Sequence, residues 1–118
     1  MAQPYFDRLT EMLREANPSR RGVVVECRHF FGGAALYANG RIFASLSPAG
    51  FAIKLPERSR SELLRERRGR PLRYFKGSPI KKAYLVLSRE TASDREAVRR
   101  LLRAGVRYVT RGVSSHVS

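Results

Sequence analysis

Residues that build reactive centres are scarce in this chain. Cysteine occurs once, at Cys27, and histidine twice, at His29 and His116. A single thiol forms no intramolecular disulfide and no thiolate zinc cluster. That usage fits a reducing, cytoplasmic setting. Asp and Glu number 10 against 24 Lys and Arg, a net charge of +14 over 118 residues. So few carboxylates and imidazoles do not fall in register for a metal site. No apolar run approaches bilayer-spanning length, which argues against a membrane span. The opening Met-Ala-Gln-Pro-Tyr-Phe-Asp-Arg has neither the basic start nor the long apolar stretch of a signal peptide. There is no internal repeat, and Gly32-Gly33 lacks the spacing of a phosphate loop. These absences leave no cofactor to expect and no catalytic set to assemble.

What remains is ordinary globular material with an excess of positive charge. Hydrophobic residues make up 42% and charged residues 29%, enough for one domain with one modest core. We expect that domain to occupy 1–118, with its core from about residue 5 to about residue 111 and a frayed tail over 112–118. The charge favours an acidic partner: nucleic acid, an acidic protein surface or anionic lipid.

The most legible stretch runs from Phe30 to Lys54. Leu36-Tyr37-Ala38 leads into Asn39-Gly40, and Arg41 to Leu46 follows. Asn-Gly between apolar runs signals a hairpin with a type I′ turn. Beyond Ile42, strict alternation would put Ala44 and Leu46 on one face and Phe43 and Ser45 on the other. Ser47-Pro48-Ala49-Gly50 reads as a second turn, and Phe51 to Leu55 as the next strand, with Lys54 facing away from Ile53 and Leu55. Gly32-Gly33 reads as a bend between strands rather than a ligand approach.

The flanks supply helices and further strands. Tyr5 to Ala16 carries Phe6, Leu9, Leu13 and Ala16 on one stripe, and Asn17-Pro18 ends it. Val23 to Phe31 alternates as a strand, with Val25, Cys27 and His29 on one face and Glu26, Arg28 and Phe30 on the other. Ser59-Arg60-Ser61-Glu62 matches a capping box for a short basic helix stopping at Gly69-Arg70-Pro71. Pro71 to Lys82 reads as a connection, and Ala83 to Leu87 as a strand. Ser93-Asp94-Arg95-Glu96 matches a second box, opening a helix toward Arg111. On that helix Val98, Leu101, Leu102, Gly105, Tyr108 and Val109 share an arc. Arg95, Arg99, Arg103, Arg107 and Arg111 sweep the opposite one.

The central stretch resembles the N-terminal domain of the TfoX/Sxy family, whose signature has the form R-x-M-F-G-G-x-G-L-Y-x-D-G-x-x-F-A followed by a turn and a strand ending in L-K. Here Arg28, Phe31, Gly32, Gly33, Leu36, Tyr37, Gly40, Phe43, Ala44, Gly50 and Lys54 match. Phe30 stands in the methionine place, Ala35 where a third glycine is common, and Asn39 for the more frequent Asp. Tyr74, Phe75 and Tyr84 sit where the family places aromatics. The resemblance implies an α+β domain, a single antiparallel sheet of about five strands in the order α-β-β-β-β-α-β-α, with helices packed on it. It also implies a link to competence-gene regulation.

Three functions remain open. The first is a non-enzymatic regulatory module acting through protein contacts, with a homodimer also open. The second is a nucleic-acid binder using a basic surface: Arg65, Arg67, Arg68, Arg70, Arg73, Lys76, Lys81 and Lys82, with Arg99, Arg103 and Arg107 of the last helix. Tyr74 and Phe75 lie inside that basic run, where rings could stack on unpaired bases while charges track phosphates. The ordinary alternative is that both rings pack on the sheet and the arginines are solvated. The third is a small-molecule pocket between sheet and helices. A Cys27–His29 nucleophile pair is disfavoured, since same-face strand neighbours sit well apart and no orienting carboxylate follows.

Overall fold

The computed structural model describes residues 3–17, 21–30 and 32–117, the last six of these as backbone only. Within them the elements run α1 (Gln3–Ala16), β1 (Val25–Phe30), β2 (Gly33–Ala38), β3 (Arg41–Ser47), β4 (Gly50–Lys54), α2 (Glu57–Arg65), β5 (Gly69–Pro71), β6 (Tyr84–Leu87), α3 (Arg89–Ala92) and α4 (Arg95–Val117). The strands form one six-stranded sheet in the order β1-β2-β3-β4-β6-β5. Every neighbouring pair is antiparallel. The α+β class and the single antiparallel sheet are those expected, with one strand more.

The hairpins follow from their turns. Ala38 pairs with Arg41 across Asn39-Gly40, whose φ values of 50° and 79° are the two positive angles a type I′ turn requires. Asn39 does more than turn the chain. Its Oδ1 accepts from the Val24 amide at 2.8 Å, and its own amide donates to the Val24 carbonyl at 2.8 Å. The turn is thereby tied to the approach of β1. At the next turn, Ser47 pairs with Gly50 and the Ser47 hydroxyl accepts from the Ala49 amide at 3.1 Å. Gly32 takes a φ of 74° between Phe30 and its partner Gly33, the expected bend. Gly33 also has no room for a side chain: a Cβ there would lie 2.2 Å from the Leu46 carbonyl oxygen. Phe31 lies outside the described residues.

Strict alternation fails on β3. The register slips between Leu36, opposite Ala44, and Tyr37, opposite Ile42. Phe43 is the extra residue of this bulge. Phe43 therefore joins Ala44 and Leu46 in one core, and Ile42 points to the other face of the sheet.

That core lies between the sheet and the helices. Leu9 of α1 and Leu102 and Val106 of α4 are fully buried against Leu36, Phe43 and Ile53. The α1 stripe is as expected. The α4 arc also takes in Ala97, Val106 and Thr110, which the sequence reading left out. At Gly105 a Cβ would sit 3.0 Å from Ile53 and 3.1 Å from Phe43, so the missing side chain sets how near α4 lies to the sheet.

The expected capping boxes are corrected. Ser59 is inside α2, because the chain turns helical one residue after Pro56, whose fixed φ suits the entry. The helix ends at Arg65 rather than at Gly69. The Arg68 amide donates to the Leu63 carbonyl and the Arg67 amide to the Leu64 carbonyl, with Arg67 at φ 61°. This paired closure satisfies the last carbonyls of the helix. Gly69-Arg70-Pro71 is then free to pair with β6 as the sixth strand. At the start of α4 the cap is Asp94, whose Oδ1 accepts from the Ala97 amide at 3.2 Å. Ser93 instead closes α3, which Ser88 opens by accepting from the Thr91 amide.

Candidate functional site: the open face of the sheet

One face of the sheet carries α1 and α4. Among the described residues the other carries only the connection from Leu72 to Ala83. Leu72 is fully buried there against Ala52, Tyr84 and Val86. The connection is fastened at both ends, the Lys81 amide donating to the Leu72 carbonyl and the Leu55 amide to the Ala83 carbonyl. It covers the β4–β6 end and reaches over Ser45 of β3 through Tyr74, leaving Phe30, Tyr37 and Ile42 half-buried at its margin.

A groove of about 710 Å³ lies along its margin, lined on the sheet side by Phe30, Tyr37, Ile42, Pro48 and Tyr84. Tyr74, Phe75, Pro79 and Lys81 form the opposite wall. The Tyr74 hydroxyl lies 3.4 Å from the Ser45 hydroxyl, and its ring meets Phe30 edge-on at 6.0 Å. Phe75 is different: it is 70% exposed. It is held there by a tight turn. The Ser78 amide and hydroxyl both donate to the Phe75 carbonyl, at 3.0 and 2.7 Å, with Gly77 at φ 85°. The Arg73 guanidinium donates to the Ser78 carbonyl at 2.6 Å and braces the same turn. Of the two rings, then, Tyr74 packs on the sheet and Phe75 does not.

Cations accompany these rings. Arg28 lies over Tyr37 at 5.1 Å and Lys54 over Tyr84 at 5.4 Å. Arg28 also pairs with Glu26 at 2.7 Å. Burial lowers the Lys54 pKa from its ordinary value. Burial, followed by the neighbouring Tyr74 and Tyr37 phenols, pushes the Tyr84 hydroxyl well above the usual tyrosine value.

The signature residues divide between two tasks. Gly32, Gly33, Gly40, Phe43 and Ala44 make turns, close approaches and core. Arg28, Tyr37 and Lys54 are carried to the open face. The basic candidates are also divided. Lys81 lines the groove, and Arg70 donates to the Ala49 carbonyl beside it. Arg73 is committed to the turn, on which Lys76 stands exposed; Lys82 is exposed near Lys81. Arg65, Arg67 and Arg68 are exposed around the end of α2. Arg99, Arg103 and Arg107 are exposed on α4, beyond the helix layer, so they do not merge with the groove. The sequence reading did not single out Phe30, Ile42 or Pro48. The placing of Tyr37 opposite Ile42 depends on the β3 bulge, which alternation alone does not reveal.

Cys27 and His29 do not form a reacting pair. His29 stacks on Phe6 at 4.6 Å, and the Cys27 thiol faces the Phe6 carbonyl at 4.0 Å. Burial raises the thiol pKa, against a smaller opposing effect of the Thr10 hydroxyl, so thiolate is disfavoured. Among the described residues no group of His, Cys, Asp and Glu could hold a metal ion, and no helix is long and apolar enough to cross a membrane.

No curated protein and no solved structure matches the chain. The family model described as the TfoX N-terminal domain matches residues 20–108, from the approach of β1 into α4 and so across the entire sheet. The chain accordingly belongs to the TfoX N-terminal domain family.

Proposed function

We propose that this protein is a regulatory interaction module that acts by binding rather than by catalysis, and that its partner docks on the open face of the sheet. The observation that carries the reading is the groove itself. Rings of Phe30, Tyr37, Tyr74, Phe75 and Tyr84 converge there with Lys54 and Lys81 at hand and the Arg28–Glu26 pair beside Tyr37, and no carboxylate is among its lining residues. Such a surface suits a molecule that offers negative charge together with apolar or flat groups. Membership of the TfoX N-terminal family supports a regulatory setting, with competence genes as the first to test. The disfavoured thiolate of Cys27 and the engaged ring of His29 support binding over chemistry.

The test compares two variants in a pull-down at low and moderate salt. One carries Phe75→Ala with Lys81→Gln; the other carries Arg99→Gln, Arg103→Gln and Arg107→Gln. Loss of the captured partner with the first variant and retention with the second is expected. The reverse pattern moves the site to α4 and ends the reading. A deletion strain with unchanged competence-gene transcripts removes the competence role alone.

A further inference from the structure

We infer that the occupant of the groove is a single-stranded nucleic acid, its unpaired bases stacked on the aromatic wall; this rests on the open-face reading above. Three features favour it over an acidic protein segment. First, an exposed ring and cations lie side by side. Lys81 shares the groove with the exposed Phe75, while Lys54 sits over the buried Tyr84 and Arg28, paired with Glu26, over Tyr37. A strand presents bases beside phosphates, so a base can stack on Phe75 while Lys81 and Lys54 take charge.

Second, apart from Phe30 at the end of the edge strand β1, the strands under the groove are inner ones. β2 and β3 each have a neighbour on both sides, so their backbone donors and acceptors are already engaged in the ladders. An extended peptide binds a sheet by adding to an edge, where its own backbone groups find partners. Over β2 and β3 it would find none. A base needs no such partner for its face. Third, Phe75 is held exposed by the Ser78, Arg73 and Gly77 turn before any partner arrives. With its backbone fixed in advance, only the side-chain torsions of Phe75 remain to be ordered on stacking. A duplex, its bases already paired and stacked, cannot offer a face to it.

The experiment measures fluorescence anisotropy of labelled oligothymidylate and oligouridylate of roughly ten nucleotides, the span such grooves take. The full chain is titrated against these, against a duplex of equal length and against a poly-glutamate peptide carrying interspersed phenylalanines. Phe75→Ala, Lys54→Gln and a variant with Arg99, Arg103 and Arg107 changed to Gln are run beside it. Single strands are expected to bind at least about tenfold tighter than the duplex. Phe75→Ala should weaken them roughly tenfold or more with little change in salt slope, since stacking carries no counterion release. Lys54→Gln should reduce the slope by about 0.7, the value for one phosphate contact on a single strand. Phe75 is exposed, so its variant should fold, and an unchanged melting curve checks this. Equal affinity for strand and duplex, indifferent to Phe75, overturns the inference and leaves only charge attraction. Phe75-dependent binding of the peptide without the oligonucleotides overturns it while the open-face reading stands. Binding of neither probe overturns the inference, and the pull-down above then decides the open-face reading.

Discussion

Phe43 and Tyr37 lie on adjacent strands, and their surroundings differ in kind. Phe43 is fully enclosed by α4 and the core, close enough to Gly105 that a methyl group there would touch it. Tyr37 looks out into a groove, with a guanidinium over its ring. The helix side is apolar and closely fitted. The open side mixes rings, hydroxyls and cations, crossed by the Leu72–Ala83 connection. Surface that folding does not need is surface a partner can use, so the comparison separates residues that hold the protein together from residues that face outward.

Substitutions can sharpen that separation. The largest effect is expected from Phe43→Ala, which should lower stability by about 3–5 kcal/mol through the cavity left under α4. Urea unfolding measures it, and a loss below about 1 kcal/mol would mean the core closes over the gap. Gly105→Val comes next. Its Cβ would meet Ile53 and Phe43 at 3.0 and 3.1 Å, and the added methyls overfill the seam. The expected cost is about 2 kcal/mol, with groove binding kept wherever the chain stays folded.

The open face is probed by pH. The Tyr84 hydroxyl has a raised pKa in the folded state, so the folded chain holds its proton longer than the unfolded chain. Its contribution is complete below the ordinary tyrosine value near 10 and is lost as pH rises beyond it. Tyr84→Phe should therefore lose less stability than the parent between about pH 8 and about pH 11, read from urea midpoints. Equal losses would show that Tyr84 does not control alkaline unfolding. Lys54 has the opposite sign of proton linkage. Its lowered pKa means the cost of holding the charged amine is present at neutral pH and eases toward the ordinary lysine value near 10.4. The smallest expected change is in the stability of Phe75→Ala, within about 0.5 kcal/mol of the parent. A larger loss by thermal melting would put Phe75 among the residues the fold needs.

Much of the scaffold was legible because local rules decide it. Asn39-Gly40 specifies its turn by backbone sterics, and the α1 stripe is written in the helical period. The sixth strand was hidden because Gly69-Arg70-Pro71 reads as a helix stop, and its pairing with β6 lies outside local sequence. The serine boxes were ambiguous because Pro56 and Asp94 stood within reach of the same helix starts. The basic residues were all visible, but their division between the groove side and α4 was not.

The sequence alone determined the family, the hairpins, the apolar stripes and the excess of positive charge, because each is a matter of residue type at fixed short spacing. The tertiary structure alone decided which face stays open, which rings share a groove with which cations, and that Phe75 is exposed while Tyr74 packs. Those outcomes depend on the β3 bulge and on where the Leu72–Ala83 connection crosses the sheet. Both are long-range matters that no local pattern encodes.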